Sequence, residues 1–309
     1  MSEPIYPEDN GQYGKYSNVN NANMNNANAP DKNEHKSEII IGICGLGFVG
    51  NAVYQTFKDY YDVVTYDKYK NNGCVELLFK SKILFLCLPT PYEHDINKFN
   101  TTELNNTLEF LNNHEQSHNP YTGLIVIKST VEPTFTRQMA EKYPHLSIIH
   151  NPEFLTARTA VEDFRNQKHI VLGRTASCSN ELYQDMIDIY SHVFPNAQIS
   201  QCESTDSEMM KLCCNTFYAI KVQIFNEYYD LCHKLGVNYN HLIEMMLKNG
   251  WINPMHTQCP GPDGQLSYGG YCFPKDTNAL NSFMGNMGSI HEVLDACISE
   301  RNKMRPGDT

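Results

Sequence analysis

Positive charge is scarce in this 309-residue chain: 24 Lys and Arg stand against 35 Asp and Glu, a formal net charge of −11. So acidic a protein has no electrostatic means of holding a phosphate polymer, so neither nucleic acid nor an anionic membrane is an expected partner. Long apolar runs are missing too. None approaches the roughly 18–20 residues of a membrane span. The N-terminus lacks the basic-then-apolar pattern of an export signal, so a cytoplasmic protein is expected. Metal-type cysteine spacing is absent: none of the eleven cysteines forms a Cys-x-x-Cys pair, and the adjacent Cys213 and Cys214 cannot both face one metal from a helix. No metal is expected. An odd cysteine count without an export signal fits free thiols in a reducing compartment. No internal repeat is visible.

What is present falls into three stretches. Residues 1–37 contain nine Asn and scattered apolar residues without a period. Such a segment cannot bury enough surface to offset its chain entropy and is expected to be a disordered tail. Residues 38–203 alternate short apolar runs with helix-length segments. The runs Ile39–Ile43, Val63–Tyr66, Ile83–Leu88, Leu124–Ile127, Ser147–His150 and His169–Leu172 read as buried strands. Strands separated by helices describe an α/β fold, a Rossmann-type doubly wound parallel sheet. Residues 204–309 are mostly helical in pattern. Ser204–Leu235 is a long helix with early acids and Gly236 just past its end. Tyr239–Lys248, Thr277–Met284 and His291–Arg301 follow as shorter helices.

The first strand runs into Gly45-Leu46-Gly47-Phe48-Val49-Gly50, and a helix follows. Alone, a Gly-x-Gly-x-x-Gly is weak. Between a strand and a helix it is the dinucleotide-binding turn, with a pyrophosphate at the helix N-terminus. Asp67 ends the second strand twenty residues after Gly47. Its carboxylate is placed to accept hydrogen bonds from a ribose and to repel a 2′-phosphate, which favours NAD over NADP. The ends of later strands carry Pro89-Thr90-Pro91, Ser129-Thr130 and Asn151-Pro152-Glu153. Ligands of open α/β sheets sit there, although any one of these residues alone also fits a helix cap or a turn.

Two clusters carry chemistry. Lys211 and Asn215, four apart, share one face of the long helix among apolar neighbours. Burying either without a partner is costly, and both are able to donate to an oxyanion. The second cluster is Gly269-Gly270-Tyr271-Cys272-Phe273-Pro274-Lys275-Asp276. The glycines admit a ligand close to the backbone, and positive charge beside Cys272 favours its reactive thiolate. A lone cysteine is more often a buried thiol; the glycines and charges set this one apart.

Four motifs together resemble the UDP-glucose/GDP-mannose dehydrogenase family: Gly45–Gly50, Asn151-Pro152-Glu153-Phe154-Leu155, the run from Glu208 to Asn215, and Gly269–Asp276. The resemblance spans residue 39 to about 284. It implies oxidation of a nucleotide-sugar C6 alcohol to the carboxylate with two NAD. Cys272 would be the nucleophile, forming a thiohemiacetal and then a thioester. Lys211 and Asn215 would stabilise the oxyanion, Glu153 and Asp276 would handle protons, and Thr130 would sit near the reacting centre. Leu46, Phe48, Val49, Pro89, Thr90 and Ser129 would join the glycines and Asp67 around the cofactor. Glu153, Phe154, Leu155, Gly269 and Gly270 would join Lys211 and Asn215 around the substrate.

Three features depart from the family pattern. Its members usually continue into a third domain that helps hold the nucleotide, and none is expected here. Ala157 stands where a Glu or Gly is common. An arginine usually precedes the cysteine, yet none occurs between Arg174 and Arg301. The leading expectation is a short NAD-dependent sugar-nucleotide 6-dehydrogenase, with UDP-glucose first among substrates. The alternatives are a two-electron hydroxyacid dehydrogenase and a cofactor-binding module without catalysis. Finally, Phe217, Tyr218, Ile220, Val222, Ile224, Phe225, Tyr228, Tyr229 and Leu231 give the long helix more apolar surface than one face needs. A homodimer that covers one side is expected.

Overall fold

The computed structural model describes residues 37–113 and 120–307. The Asn-rich tail expected over 1–37 lies, except for its last residue, outside the described residues.

The chain opens with β1 (Ser37–Cys44), α1 (Phe48–Phe57) and β2 (Tyr61–Tyr66). A 3₁₀ turn (Val75–Lys80) leads to β3 (Ile83–Leu86). A small antiparallel hairpin, β4 (Tyr92–Glu93) and β5 (Lys98–Phe99), precedes α2 (Thr102–Asn112). Then come β6 (Leu124–Ile127), α3 (Phe135–Lys142), β7 (Ser147–His150) and α4 (Ala160–Arg165). β8 (His169–Arg174), α5 (Asn180–Val193) and β9 (Gln198–Glu203) complete the first half. The second half is helical: α6 (Ser204–Leu235), α7 (Tyr239–Lys248), α8 (Cys272–Asn286) and α9 (Glu292–Met304).

Seven strands form one sheet in the order β2-β1-β3-β6-β7-β8-β9. Every residue of β3 and β6 is buried, as strands covered on both faces must be. Their side chains alternate between two cores. Ile83 and Phe85 point toward α1, α4 and α5, among Phe57, Phe164 and Tyr190. Leu84 and Leu86 point toward α2 and α3, among Leu104, Leu108 and Tyr121. Strand order reverses between β1 and β3, and a crevice opens beyond their carboxyl ends, where open α/β sheets bind ligands.

The helical half is tied to the sheet through α6, which packs on β7, β8, β9 and α3 at its start and on α8 and α9 further along. A strap reaches the other way. Phe99 of the β4–β5 hairpin is buried against Leu212, Ala279 and Leu280, and the Tyr92 hydroxyl lies 2.8 Å from Ser282 Oγ on α8.

The α/β architecture and the long helix match expectation, with four differences. First, β8 runs antiparallel to β7, then pairs in parallel with β9. A parallel strand needs the chain carried back to the start of its neighbour. The short α4, about 9 Å long at 1.5 Å per residue, does not do that. Second, β9 was not expected; its sequence, Gln-Ile-Ser-Gln-Cys-Glu, has too few apolar residues to signal a strand. Third, the first helix does not wait for the end of the glycine motif: it begins inside it at Phe48, with Gly47 as its N-cap. Fourth, Cys272, which lies before the helix expected from Thr277, is itself the first residue of α8, so that helix starts five residues early. Pro274 suggests a break in the sequence, but first-turn amides have no helical partner, so proline is tolerated there. Among the described residues no helix is long and apolar enough to cross a membrane.

Candidate active site

The crevice at the strand-order reversal is a cavity of about 810 Å³. Gly45 and Gly47 line it at the end of β1, with Phe48 and Val49 from the first turn of α1. Gly45 has φ +89°, which a side chain would strain. A Cβ on Gly50 would lie 1.8 Å from the Gly45 carbonyl oxygen, so only glycine lets α1 close on the turn. Gly47, by contrast, faces open space. An exposed main chain at a helix N-terminus, opening on a cavity of this size, fits a dinucleotide.

Asp67 also lines the cavity and organises its rim. One carboxylate oxygen accepts the Leu46 amide at 2.7 Å, and the other accepts the amides of Tyr69 and Lys70 at 3.0 and 2.9 Å. Asp67 thus ties the second strand to the glycine turn. Pro89, Thr90, Ser129 and Thr130 form the opposite wall. The hydroxyls of Ser129 and Thr90 are engaged in joining the β3 and β6 loops. Ser129 Oγ accepts the Leu88 amide at 3.0 Å and donates to the Leu88 carbonyl at 2.7 Å. Thr90 Oγ1 donates to the Thr130 carbonyl at 2.7 Å.

Glu153, Tyr271, Cys272 and Lys275 line the far end of the same cavity. The sheet and the helical half therefore meet here. Burial pushes the Cys272 thiol above its ordinary value, Lys275 pulls it down, the carboxylates of Glu153 and Asp276 push it up, and Lys211 pulls it down. Lys275 is fixed by Asp276 Oδ1 at 2.5 Å and lies 4.8 Å from the Phe99 ring centroid, so the strap from the sheet touches the cation beside the thiol.

Lys211 and Asn215 stand one layer behind. Lys211 donates to the Glu153 main-chain carbonyl and, at 3.1 Å, to its carboxylate. Burial works against its charge, but Glu153 and Asp276 outweigh this and hold its pKa above the ordinary lysine value. Asn215 Nδ2 donates to Asp276 Oδ2 at 2.6 Å, and Asp276 is wholly buried. The two expected oxyanion donors are thus engaged with the two expected proton-handling carboxylates. Of the other expected residues, Leu46, Gly50, Phe154, Leu155, Gly269 and Gly270 are not on the cavity wall. Phe154 instead lies over the Lys211 ammonium, 5.0 Å away, and Leu155 donates its amide to Glu153. Gly270 adopts φ +77° just before α8.

Sequence reasoning missed four buried groups around this centre. Ser207 and Glu208 occupy the turn of α6 before Lys211. Ser207 Oγ lies 2.7 Å from His150 Nδ1 and packs where Gly173 has no side chain. Lys128, on the cavity wall, donates to Asn151 Oδ1 at 2.8 Å; burial lowers its pKa to about 8. Glu208 lies on the face that carries Lys211, which was the one available signal. Among the described residues no group of three or more His, Cys, Asp or Glu side chains is placed to hold a metal ion.

A doubly wound sheet whose glycine turn and switch-point crevice suit a dinucleotide, closed at one end by a helical unit bearing a thiol, is a dehydrogenase scaffold. Residues 62–194 match the NAD-binding domain, and residues 205–303 the central domain, of the UDP-glucose/GDP-mannose dehydrogenase family. The chain belongs to that family. It is 28% identical over 230 residues to a UDP-glucose 6-dehydrogenase of Campylobacter jejuni, covering 74% of this chain and 55% of that one. It is 33% identical over 195 residues to the Rickettsia felis enzyme of the same name, covering 60% and 40%. The chain therefore spans about half the length of these relatives. Its fold is similar to that of a UDP-glucose dehydrogenase from Pyrobaculum islandicum, with TM-score 0.75 and 21% identity over 87% of this chain and 69% of that one. A Mycobacterium tuberculosis 3-hydroxyisobutyrate dehydrogenase shares the fold at TM-score 0.67 and 15% identity, covering 88% and 95%.

Proposed function

We propose that this protein is an NAD-dependent nucleotide-sugar 6-dehydrogenase that converts a C6 alcohol to a carboxylate, with UDP-glucose the leading substrate. Residues 38–203 serve as the cofactor unit and 204–309 as the central unit. The observation that carries this reading is one cavity lined both by the Gly45–Gly47 turn and by Cys272. A two-electron alcohol oxidation needs the turn but no thiol; a four-electron oxidation to the acid needs both.

Bound NAD supplies the hydride acceptor, once for each of the two oxidations. Gly45, Gly47 and the first turn of α1 would hold its pyrophosphate, and Asp67 would take the ribose and select against a 2′-phosphate. Thr130 lines the wall beside the reacting end. The C6 alcohol loses its hydroxyl proton and a hydride, which bound NAD would accept, to give the aldehyde. Cys272 then gives up its proton and adds through sulfur to the aldehyde carbon, whose oxygen takes a proton to form a thiohemiacetal. Loss of the thiohemiacetal hydroxyl proton, together with a second hydride that bound NAD would accept, leaves a thioester on Cys272. Water then attacks the thioester carbonyl, and the thiol leaves with a proton. Glu153 and Asp276, through water, take and return these protons. Lys211 and Asn215 lend positive charge and hydrogen-bond donation to the oxygen as its charge develops, which requires them to loosen from Glu153 and Asp276 when substrate enters. The protein acts in the cytoplasm, as a homodimer through the exposed apolar side of α6.

The test is NADH release from a panel of nucleotide sugars. About two NADH per sugar is expected, and Cys272→Ser should stop at the aldehyde after one. A wild-type rate in Cys272→Ser would instead support the hydroxyacid dehydrogenase alternative. NAD binding without turnover on any substrate would support a non-catalytic module.

A further inference from the structure

The polar residues on one face of α6 are buried where helix surfaces are usually wet, and each reaches a different element. Lys211 and Asn215 belong to the site already described. Glu208, three residues before Lys211 and seven before Asn215, shares their face and is wholly buried. Its carboxylate leaves the central unit altogether. Oε2 accepts the Thr134 amide at 2.6 Å and Oε1 the Thr136 amide at 2.8 Å, both at the start of α3.

Thr134 is an unusual residue to find there. It is the N-cap of α3, yet its side chain caps nothing. Its φ is +80°, in the left-handed region that a β-branched residue avoids. Strain of this kind persists only where surrounding contacts impose it. Part of what holds it is local: the Phe135 amide donates to the Glu132 carbonyl at 3.1 Å, closing a turn in which Pro133 is second and Thr134, with φ +80° and ψ −8°, takes the third position of a type II turn. The Glu208 carboxylate adds the long-range contact, accepting the amides of Thr134 and Thr136. Thr130, on the cavity wall, is only four residues upstream.

We propose that Glu208 is a positioning residue: its carboxylate holds the strained turn at Thr134 and thereby sets Thr130, on the cofactor side of the cavity, against Lys211 and Asn215 on the substrate side. This role rests on the dehydrogenase reading above. A hydride acceptor and donor must be held in register across the two units, and Glu208 joins the loop that follows Thr130 to the helix that carries Lys211 and Asn215.

Glu208→Gln keeps the shape but turns an amide group toward a main-chain N–H. Assayed at pH 8.5, it is expected to lower kcat about ten- to a hundredfold, with the KM for NAD within about twofold of wild type. The decisive variant adds Thr134→Gly. Glycine adopts a positive φ without strain and needs no carboxylate to hold it. Glu208→Gln/Thr134→Gly is therefore expected to recover most of kcat, and Thr134→Gly alone to stay near wild type. Hydrogen exchange of residues 129–132, which needs no turnover, should quicken in Glu208→Gln and return to wild-type protection in the double variant. Should Glu208→Gln not fold, Glu208→Asp, too short to reach both amides, is read in the same way. Wild-type kcat and exchange in Glu208→Gln (or in Glu208→Asp where that stands in for it), or a loss that glycine does not repair, would overturn the proposal. Absence of turnover in the wild type would instead count against the dehydrogenase reading, and the exchange result would still decide the role of Glu208.

Discussion

The ammonium of Lys211 donates to both the main-chain carbonyl and the carboxylate of Glu153, with both residues more than nine-tenths buried. The two come from opposite halves of the chain, so this pair is a join as well as a part of the site. A buried charge left without its partner is costly, whereas replacing both partners by apolar groups is often neutral. Lys211→Met should therefore lower stability by about 3–5 kcal/mol in urea unfolding. Lys211→Met/Glu153→Leu should recover most of that loss while remaining inactive. If the double variant is no more stable than Lys211→Met, the pair is not the source of the cost.

A second pair titrates in opposite directions. His150 is wholly buried, and burial, reinforced by the Lys128 charge, lowers its pKa from 6.5 to about 3. The folded protein refuses a proton that the unfolded chain takes below 6.5, so stability falls as pH drops through that value. Glu208 is raised from 4.5 to about 7 by burial, against the pull of Thr136 and Thr134. Its folded form takes a proton below 7 that the unfolded chain takes only below 4.5. Its contribution is present at low pH and is lost as pH rises through 7. Between 4.5 and 6.5 each has a slope of about 1.4 kcal/mol per pH unit, with opposite signs.

The wild type should accordingly show little net pH dependence from these two residues in that window. His150→Asn unmasks Glu208, so stability should rise on acidification from pH 7 to 5. Glu208→Gln unmasks His150, so stability should fall below pH 6.5. Urea midpoints at pH 5, 6 and 7 check both. Parallel profiles for all three proteins would mean that neither group titrates as its surroundings imply.

How much of this was legible in the sequence depends on the range of the signal. β3 and β6 were readable because all four residues of each are apolar, whereas β9 exposes half its side chains to solvent and carries no such mark. The glycine turn, Asp67, Thr130, Glu153 and Cys272 could each be named from motifs and strand ends, and all five line one cavity. The pairings could not. Lys211 meets Glu153 across 58 residues, Asn215 meets Asp276 across 61, and Glu208 meets Thr134 across 74. Such partners are chosen by how α6 lies on the sheet and on α8, and no local pattern encodes that. The positive φ at Thr134 was half hidden: Pro133 suits the second position of the turn that the Phe135 amide closes on the Glu132 carbonyl, but a threonine in the third position, where glycine is usual, gives no sign of it, and Glu208 lies 74 residues away.

The thiol of Cys272 is held up by burial and held down mainly by Lys275. At neutral pH little thiolate should exist in the free protein, and its alkylation by iodoacetamide should accelerate with pH through and beyond 9. Removing the nearby cation in Lys275→Met should shift the profile further to alkaline pH. Peptide-resolved mass spectrometry separates Cys272 from the exposed Cys74 and Cys213, which should react in both proteins. A profile that Lys275→Met leaves unmoved would remove Lys275 from the account of thiol activation.

The outer side of α6 makes the remaining prediction. Phe217, Ile224, Tyr228, Leu231 and Leu235 all stand exposed, with Phe217 63%, Leu231 54% and Leu235 68% accessible. Their spacing of seven, four, three and four residues is that of a heptad seam, and Lys221 fills the position between Phe217 and Ile224. The opposite side is already covered within the chain, where Leu212, Ala219 and Phe225 are buried. Helices α7, α8 and α9 therefore leave this stripe bare, and a contiguous apolar stripe on a long helix calls for a partner. Two copies packed through α6 would cover it on both at once, because a two-fold axis brings the same stripe together. Light scattering should give about twice the 35.3 kDa chain mass. Leu231→Glu/Leu235→Glu places like charges across the axis and should yield a monomer with unchanged helix content by circular dichroism. A wild-type mass near that of one chain at micromolar concentration would sink the dimer.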